Sequence, residues 1–300
     1  MTSGPRSLFA AAAISGRVID TLTGEPIARA RIEAGELASV ETDGSGFFAL
    51  PSSLSGVVAL GVEAEGHYPR ETRVRVGASE TVEIDLLPSD KKFDLDFFDH
   101  VYRDVGEDGT HPWTSEPAFQ ILDRIHYCVE SNPQGFCDVL EATEESVPGQ
   151  FMSLSQQVIA EDASRYTGGR VTGASVVTTA VDPGSRIVRT DAWVRDQVRF
   201  VLVQLRDDSS WATTWHYRGS GSMYSGLVMI NKQHKALRGV YSHELAHTLG
   251  YYHPRGGDEV PLPSIMRYGH DEAPDSNDIL HGAILYRRPP GSRTPDRDPE

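Results

Sequence analysis

Residues 243–253 read His243-Glu244-Leu245-Ala246-His247-Thr248-Leu249-Gly250-Tyr251-Tyr252-His253. On a helix, His243 and His247 lie about 40° apart on one face and one turn apart, the spacing two imidazoles need to reach a single tetrahedral Zn2+. Glu244 sits about 60° round from His247, placed to address a metal-bound water without being a ligand. His253 would lie roughly 15 Å from His243 along an unbroken helix, so it joins the pair only if the helix ends and the chain turns back. Gly250 stands where that turn is needed, because glycine takes the left-handed C-terminal conformation without a Cβ clash.

Working outward, Ser264-Ile265-Met266-Arg267-Tyr268 follows, with Met266 thirteen residues after His253. The two stretches together resemble the metzincin metallopeptidases, which carry H-E-x-x-H-x-x-G-x-x-H and then a methionine turn. Pro254 after the third histidine is similar to serralysins, and Tyr268 two places after Met266 to astacins and serralysins. Asp278-Ile279 and Leu285-Tyr286 resemble the final helix of that clan. The resemblance spans about 93–286, with its strong motifs confined to 243–268. The chain departs from serralysins in having no glycine-aspartate nonapeptide array.

The resemblance implies a zinc-dependent endopeptidase. His243, His247 and His253 would hold Zn2+, Glu244 would act as general base on the metal-activated water, and Met266 would form the turn beneath the metal. Tyr268 would be a further zinc ligand that swings away to stabilise the transition state. The expected partner is a polypeptide, paired in extended form with the strand at Gly226–Asn231. Two other readings stand beside it: a non-catalytic adhesion or binding protein on a metallopeptidase fold, and a narrow-specificity zinc amidohydrolase or exopeptidase. A secreted or cell-surface location is expected from function. The start, Arg6 followed by Leu8 to Ile14, is too short and weakly charged to read as a signal peptide.

Between 93 and 290 the pattern is mixed. Apolar residues Leu154, Val158, Ile159 and Ala163 are helically spaced within 152–166, stopped by Gly168-Gly169. Residues 171–181, 198–205 and 226–231 are strand-like, a helix from about Leu237 carries the histidines, and 276–285 reads as a last helix. Residues 94–140 either begin this domain or lie across its cleft. Cys128 and Cys137 either close a local loop as a disulfide or are unrelated thiols; the turn-like Glu-Ser-Asn-Pro-Gln-Gly between them favours the disulfide. His216 and His234 lack a recognisable second ligand set, and His100, His111, His126, His270 and His281 are expected at the surface.

Upstream, 14–88 alternates with period two and has turns at Thr23-Gly24-Glu25-Pro26 and Asp43-Gly44-Ser45-Gly46, the pattern of a small β-sandwich. Ile14-Ser-Gly-Arg-Val-Ile-Asp20, Gly24-Glu-Pro-Ile-Ala-Arg-Ala30 and Thr42-Asp-Gly-Ser-Gly-Phe-Phe48 resemble the carboxypeptidase regulatory-like domain, a transthyretin-like sandwich. That resemblance implies an accessory role rather than catalysis. Pro88 to Lys92 reads as a linker. The expected whole is α+β: a sandwich at 14–88, then at 93–290 a metzincin-like domain of mixed sheet, active-site helix, Met-turn and C-terminal helix. The aperiodic Pro-, Arg- and Asp-rich end from 287 is expected to be disordered, with 291–300 outside either domain. A net charge of −15 argues against nucleic acid as partner. No apolar run approaches the roughly 20 residues of a transmembrane segment.

Overall fold

The alternation at 14–88 becomes seven strands: Ser15–Asp20 (β1), Arg31–Glu33 (β2), Ser39–Glu41 (β3), Phe47–Ala49 (β4), Val57–Glu63 (β5), Arg70–Arg75 (β6) and Val82–Leu86 (β7). The computed structural model describes residues 14–51, 54–76, 81–90, 93–103, 109–132, 136–181, 186–192, 194–205, 212–219, 221–254, 262–267 and 273–299. Two sheets form, in the orders β4-β1-β7 and β3-β2-β5-β6. Their inward residues, among them Val18, Ile32, Phe48, Leu60 and Ile84, make one apolar core, each fully buried side chain contributing about 1.5–3 kcal/mol. The turns are set locally. Asp20 Oδ1 accepts from Leu22 N and Thr23 N at 2.8 Å each, and Asp43 Oδ1 from Ser45 N at 2.8 Å and Phe47 N at 2.9 Å.

The chain divides into two compact units, Met1–Leu95 with Arg293–Glu300, and Asp96–Ser292. The expectation of a disordered end is therefore corrected over 291–299. Ser292 and Asp296 are buried, and Arg297 pairs in parallel with Glu71 on β6. The reason is complementary charge: Asp298 and Arg297 meet Arg70 and Glu71, partners more than 200 residues away that no local pattern reveals.

The second unit contains Leu95–Tyr102 (α1, its first residue in the other unit), Ala118–Ser131 (β8), Cys137–Ser146 (β9), Gly149–Tyr166 (α2), Val176–Thr179 (β10), Ile187–Arg189 (β11), Gln197–Gln204 (β12), Ala212–Gly219 (β13), Ser222–Asn231 (β14), Arg238–Thr248 (α3) and Ser276–Leu285 (α4). One mixed sheet runs β11-β9-β8-β12-β14-β13, with β10 also paired to β8. β12 is parallel to both neighbours, and its buried run Phe200 to Val203 is what a strand covered on both faces requires. Residues 94–140 thus supply a central strand, β8, and a disulfide ties Cys128 to Cys137 where β8 meets β9.

One expectation is overturned. The strand at Gly226–Asn231 belongs to β14, which lies between β12 and β13 and has no open side for a substrate. Among the described residues β13, antiparallel to β14, forms that end of the sheet. Helix α3 packs on α2 and on β13 and β14, and α2 also packs on α4. No helix of the described residues is long and apolar enough to cross a membrane.

Candidate metal centre

Helix α3 ends at Thr248, and the chain reverses at once. Gly250 has φ +97°, and a Cβ there would meet His111 O at 2.7 Å, so both conformation and space demand glycine. The helix end is buried, and its last carbonyls are satisfied by side chains: Trp113 Nε1 donates to Thr248 O at 2.7 Å and Tyr286 OH to Leu249 O at 3.0 Å. Tyr251, fully buried, locks the returning strand. Its hydroxyl donates to Tyr166 O at 2.7 Å and lies 3.1 Å from Asp278 O. That hydroxyl passes over α4 where Gly282 leaves room; a Cβ there would stand 1.8 Å from it.

The reversal brings His253 back to the pair on α3. Ring centroids of His243, His247 and His253 are 4.8, 4.9 and 4.7 Å apart, a nearly equilateral triangle. One ligand atom from each lies within 4.8 Å of the others, and the Nε2 atoms of His247 and His253 are 3.2 Å apart. Each Nδ1 faces a backbone carbonyl: His243 to Ile265 O at 2.6 Å, His247 to Tyr251 O at 2.9 Å, and His253 to Met266 O at 2.9 Å. A carbonyl only accepts, so each Nδ1 carries the proton and each Nε2 keeps its lone pair for a cation. Burial favours the same neutral state, holding His247 well below the ordinary imidazole range and His253 below it. Three neutral imidazoles with no carboxylate among them fit Zn2+ and not the hard cations Mg2+ or Ca2+.

Two of the three acceptors belong to the segment 264–267, which α4 fixes in place. Asp278, fully buried at the third position of α4, accepts from Ser264 Oγ at 2.6 Å, Ile265 N at 2.8 Å and Asp275 N at 3.0 Å. Together with Asp275 it forms a capping box. One carboxylate therefore starts α4 and holds the peptide whose carbonyl orients His243. Met266 is fully buried, one residue on. At the other end of α3, Asp162 of α2 accepts from Ser242 Oγ at 2.7 Å and from Arg238 at 3.0 Å.

Glu244 is buried beside the triad. Its Oε2 accepts from Thr214 Oγ1, on β13, at 2.6 Å. Burial pushes its carboxyl up to about 7, and the Thr214 hydrogen bond pulls the other way. Tyr268 lies outside the described residues, as does His270. His216 stands near the centre, its ring 5.6 Å from that of Tyr252, and burial pushes it down to about 4. Among the described residues neither His216 nor His234 joins a second cluster of metal-ligating side chains. Three histidines expected at the surface, His111, His126 and His281, are instead buried; His281 Nδ1 reaches Asn277 O at 2.8 Å and its ring lies 4.8 Å from Phe97. Thr214 and the structural role of Asp278 escaped the sequence reading. The Asp275-x-x-Asp278 spacing could have marked the cap, whereas nothing local to Thr214 marks its partner.

No curated protein matches the chain. Residues 13–87 match the family model of the carboxypeptidase regulatory-like domain, in keeping with the sandwich that those strands build.

Proposed function

We propose that the chain is a zinc-dependent peptidase of the metzincin type. The observation carrying this reading is the convergence of three Nε2 atoms, each aimed by an Nδ1 bond to a main-chain carbonyl, beside a buried carboxylate that is not one of them. The mixed sheet, the histidine helix, the buried Met266 whose carbonyl faces His253, and the final helix support it. Bound at the triad, Zn2+ would supply a Lewis acid for the scissile carbonyl and lower the pKa of a water toward about 7.

The remaining chemistry falls to this chain. His243, His247 and His253 would hold the cation through their Nε2 atoms. Glu244 would take the proton of the attacking water and deliver it to the leaving amine, a role suited by a carboxyl whose hold on a proton is strengthened by burial. The Thr214 hydroxyl holds that carboxylate in one orientation. β13 carries Thr214, so an extended peptide paired along β13 by main-chain hydrogen bonds would run beside the base. Tyr268, by the family resemblance, would stabilise the oxyanion. The disulfide Cys128–Cys137 suits an oxidising compartment and supports a secreted or cell-surface location.

The test is cleavage of a quenched peptide library by the zinc-loaded chain, beside Glu244→Ala and chelated samples. Activity absent from both controls establishes the peptidase. Stoichiometric zinc without cleavage of any peptide turns the reading to a binding or adhesion protein, and cleavage of small amides alone turns it to a narrow amidohydrolase.

A further inference from the structure

Among the described residues β6 is the last strand of its sheet, and its outer side would present unpaired main-chain groups, a template for another strand. The chain's own end occupies it. Glu71 N donates to Asp296 O at 3.0 Å, and Asp298 N donates to Glu71 O at 2.8 Å, one step of a parallel ladder. The two faces of β6 then read the occupant's side chains separately. On the outer face, Arg297 Nε lies 2.9 Å and its terminal nitrogen 3.1 Å from the two oxygens of Glu71. On the inner face, Asp298 accepts from Thr72 Oγ1 at 2.6 Å and lies 3.4 Å from the Arg70 guanidinium. The side chains of Arg70 and Asp298 are only 8% and 10% exposed, so this carboxylate is received in a built, largely dry site. Arg70 is itself oriented by Asp85, to whose carbonyl and carboxylate it donates.

We propose that the β6 edge is a binding site for a peptide segment carrying an Arg-Asp pair, and that residues 293–299, turned between Arg293 and Arg297 and running along β6 from Asp296 to Asp298, are its resident, displaceable ligand. Main-chain pairing supplies indifferent affinity, and selection comes from a carboxylate that takes the arginine and an Arg70/Thr72 pair that takes the aspartate. The hold consists of two main-chain bonds, the exposed Arg297–Glu71 pair, and the contacts of the Asp298 carboxylate with Thr72 and Arg70. Covalent attachment adds to that hold, because a short tether acts as a local concentration on the order of millimolar. Another chain bearing the same pair, at sufficient concentration, takes the same place.

The experiment is fluorescence anisotropy with a labelled peptide of sequence 293–300. It is titrated with the intact chain, with a chain ending at Ser292, and with full-length Asp298→Ala, whose own segment has lost its inner-face anchor. The shortened and Asp298→Ala chains are expected to bind at least about tenfold more tightly than the intact chain. Glu71→Arg in the shortened chain should abolish binding, and a peptide with Arg297→Glu should restore it. Where the shortened chain fails to fold, the comparison of Asp298→Ala with the intact chain decides. If the folded shortened chain or Asp298→Ala binds no better than the intact chain, or the charge swap does not restore binding, the segment is a fixed part of the sandwich and the proposal fails.

Discussion

The sandwich and the histidine-bearing unit hold themselves together in different ways. In the sandwich, order comes from alternation and from turns whose hydrogen bonds close within four residues, as at Asp20 and Asp43. In the second unit the decisive bonds are buried, span long stretches of sequence and run from side chain to main chain. Trp113 reaches Thr248 across 135 residues, Tyr166 reaches Ser242 across 76, and Asp278 reaches Ile265 across 13. The difference follows from the task. A scaffold needs only to bury one face of each sheet, and many side chains of suitable size achieve that. A centre that aims three rings at one point needs its backbone fixed to fractions of an ångström, and buried polar bonds with a single geometry provide that.

The contrast can be broken or sharpened by experiment. The largest effect is expected from Glu244→Gln, which should lower peptide hydrolysis by about 10²–10⁴-fold with zinc still bound; metal analysis beside kinetics checks it, and undiminished hydrolysis would remove Glu244 from the mechanism. Leu60→Ala, in the sandwich core, should destabilise that unit by roughly 2–5 kcal/mol while leaving zinc stoichiometry unchanged. Calorimetry with a zinc titration tests this, and loss of zinc would show the two regions to be less separate than argued. Asp278→Asn should weaken zinc binding by about 10–100-fold, measured by chelator competition, and leave the sandwich transition where it was. Reducing Cys128–Cys137 should cost the second unit about 2–3 kcal/mol, read by denaturant unfolding, with the triad unaffected.

The smallest effect concerns pH. Burial depresses His247 and His253 below the ordinary imidazole value of 6.5, so both stay neutral as pH falls through 6.5. Proton competition for the ligands is therefore displaced to lower pH, and zinc retention at equilibrium should extend below that of an exposed imidazole site. Half-release centred at 6.5 would contradict the buried environment.

What the sequence revealed follows the same division. The sandwich was readable as a whole from its alternation and turns, although β2, β3 and β4 have three residues each, too few to show a period by themselves. In the second unit α4 was legible from its periodicity, without its cap, and β12 because it is an apolar run. The hairpin β8–β9 was not, since three register shifts break its alternation. The edge position of β13 depends on sheet order, which no local pattern encodes. The three clustered histidines stood out by spacing alone, but the groups that orient them did not, because Tyr251, Ile265 and Met266 contribute carbonyls that every residue possesses.

Those carbonyls have an evolutionary consequence. A centre whose histidines were oriented by carboxylates would lose a bond with each single substitution of an outer acid. Here the acceptors cannot be deleted by changing a side chain, and Ile265 can drift to any residue that fills its space without altering the proton on His243. Mutational tolerance is thus expected at positions that give only a carbonyl, as at Ile265, and loss falls on the few residues whose side chain or conformation sets the path of the chain, chiefly Gly250, Tyr251, Gly282 and Asp278. Directed evolution of this centre should therefore find its freedom in the former positions and its dead ends in the latter.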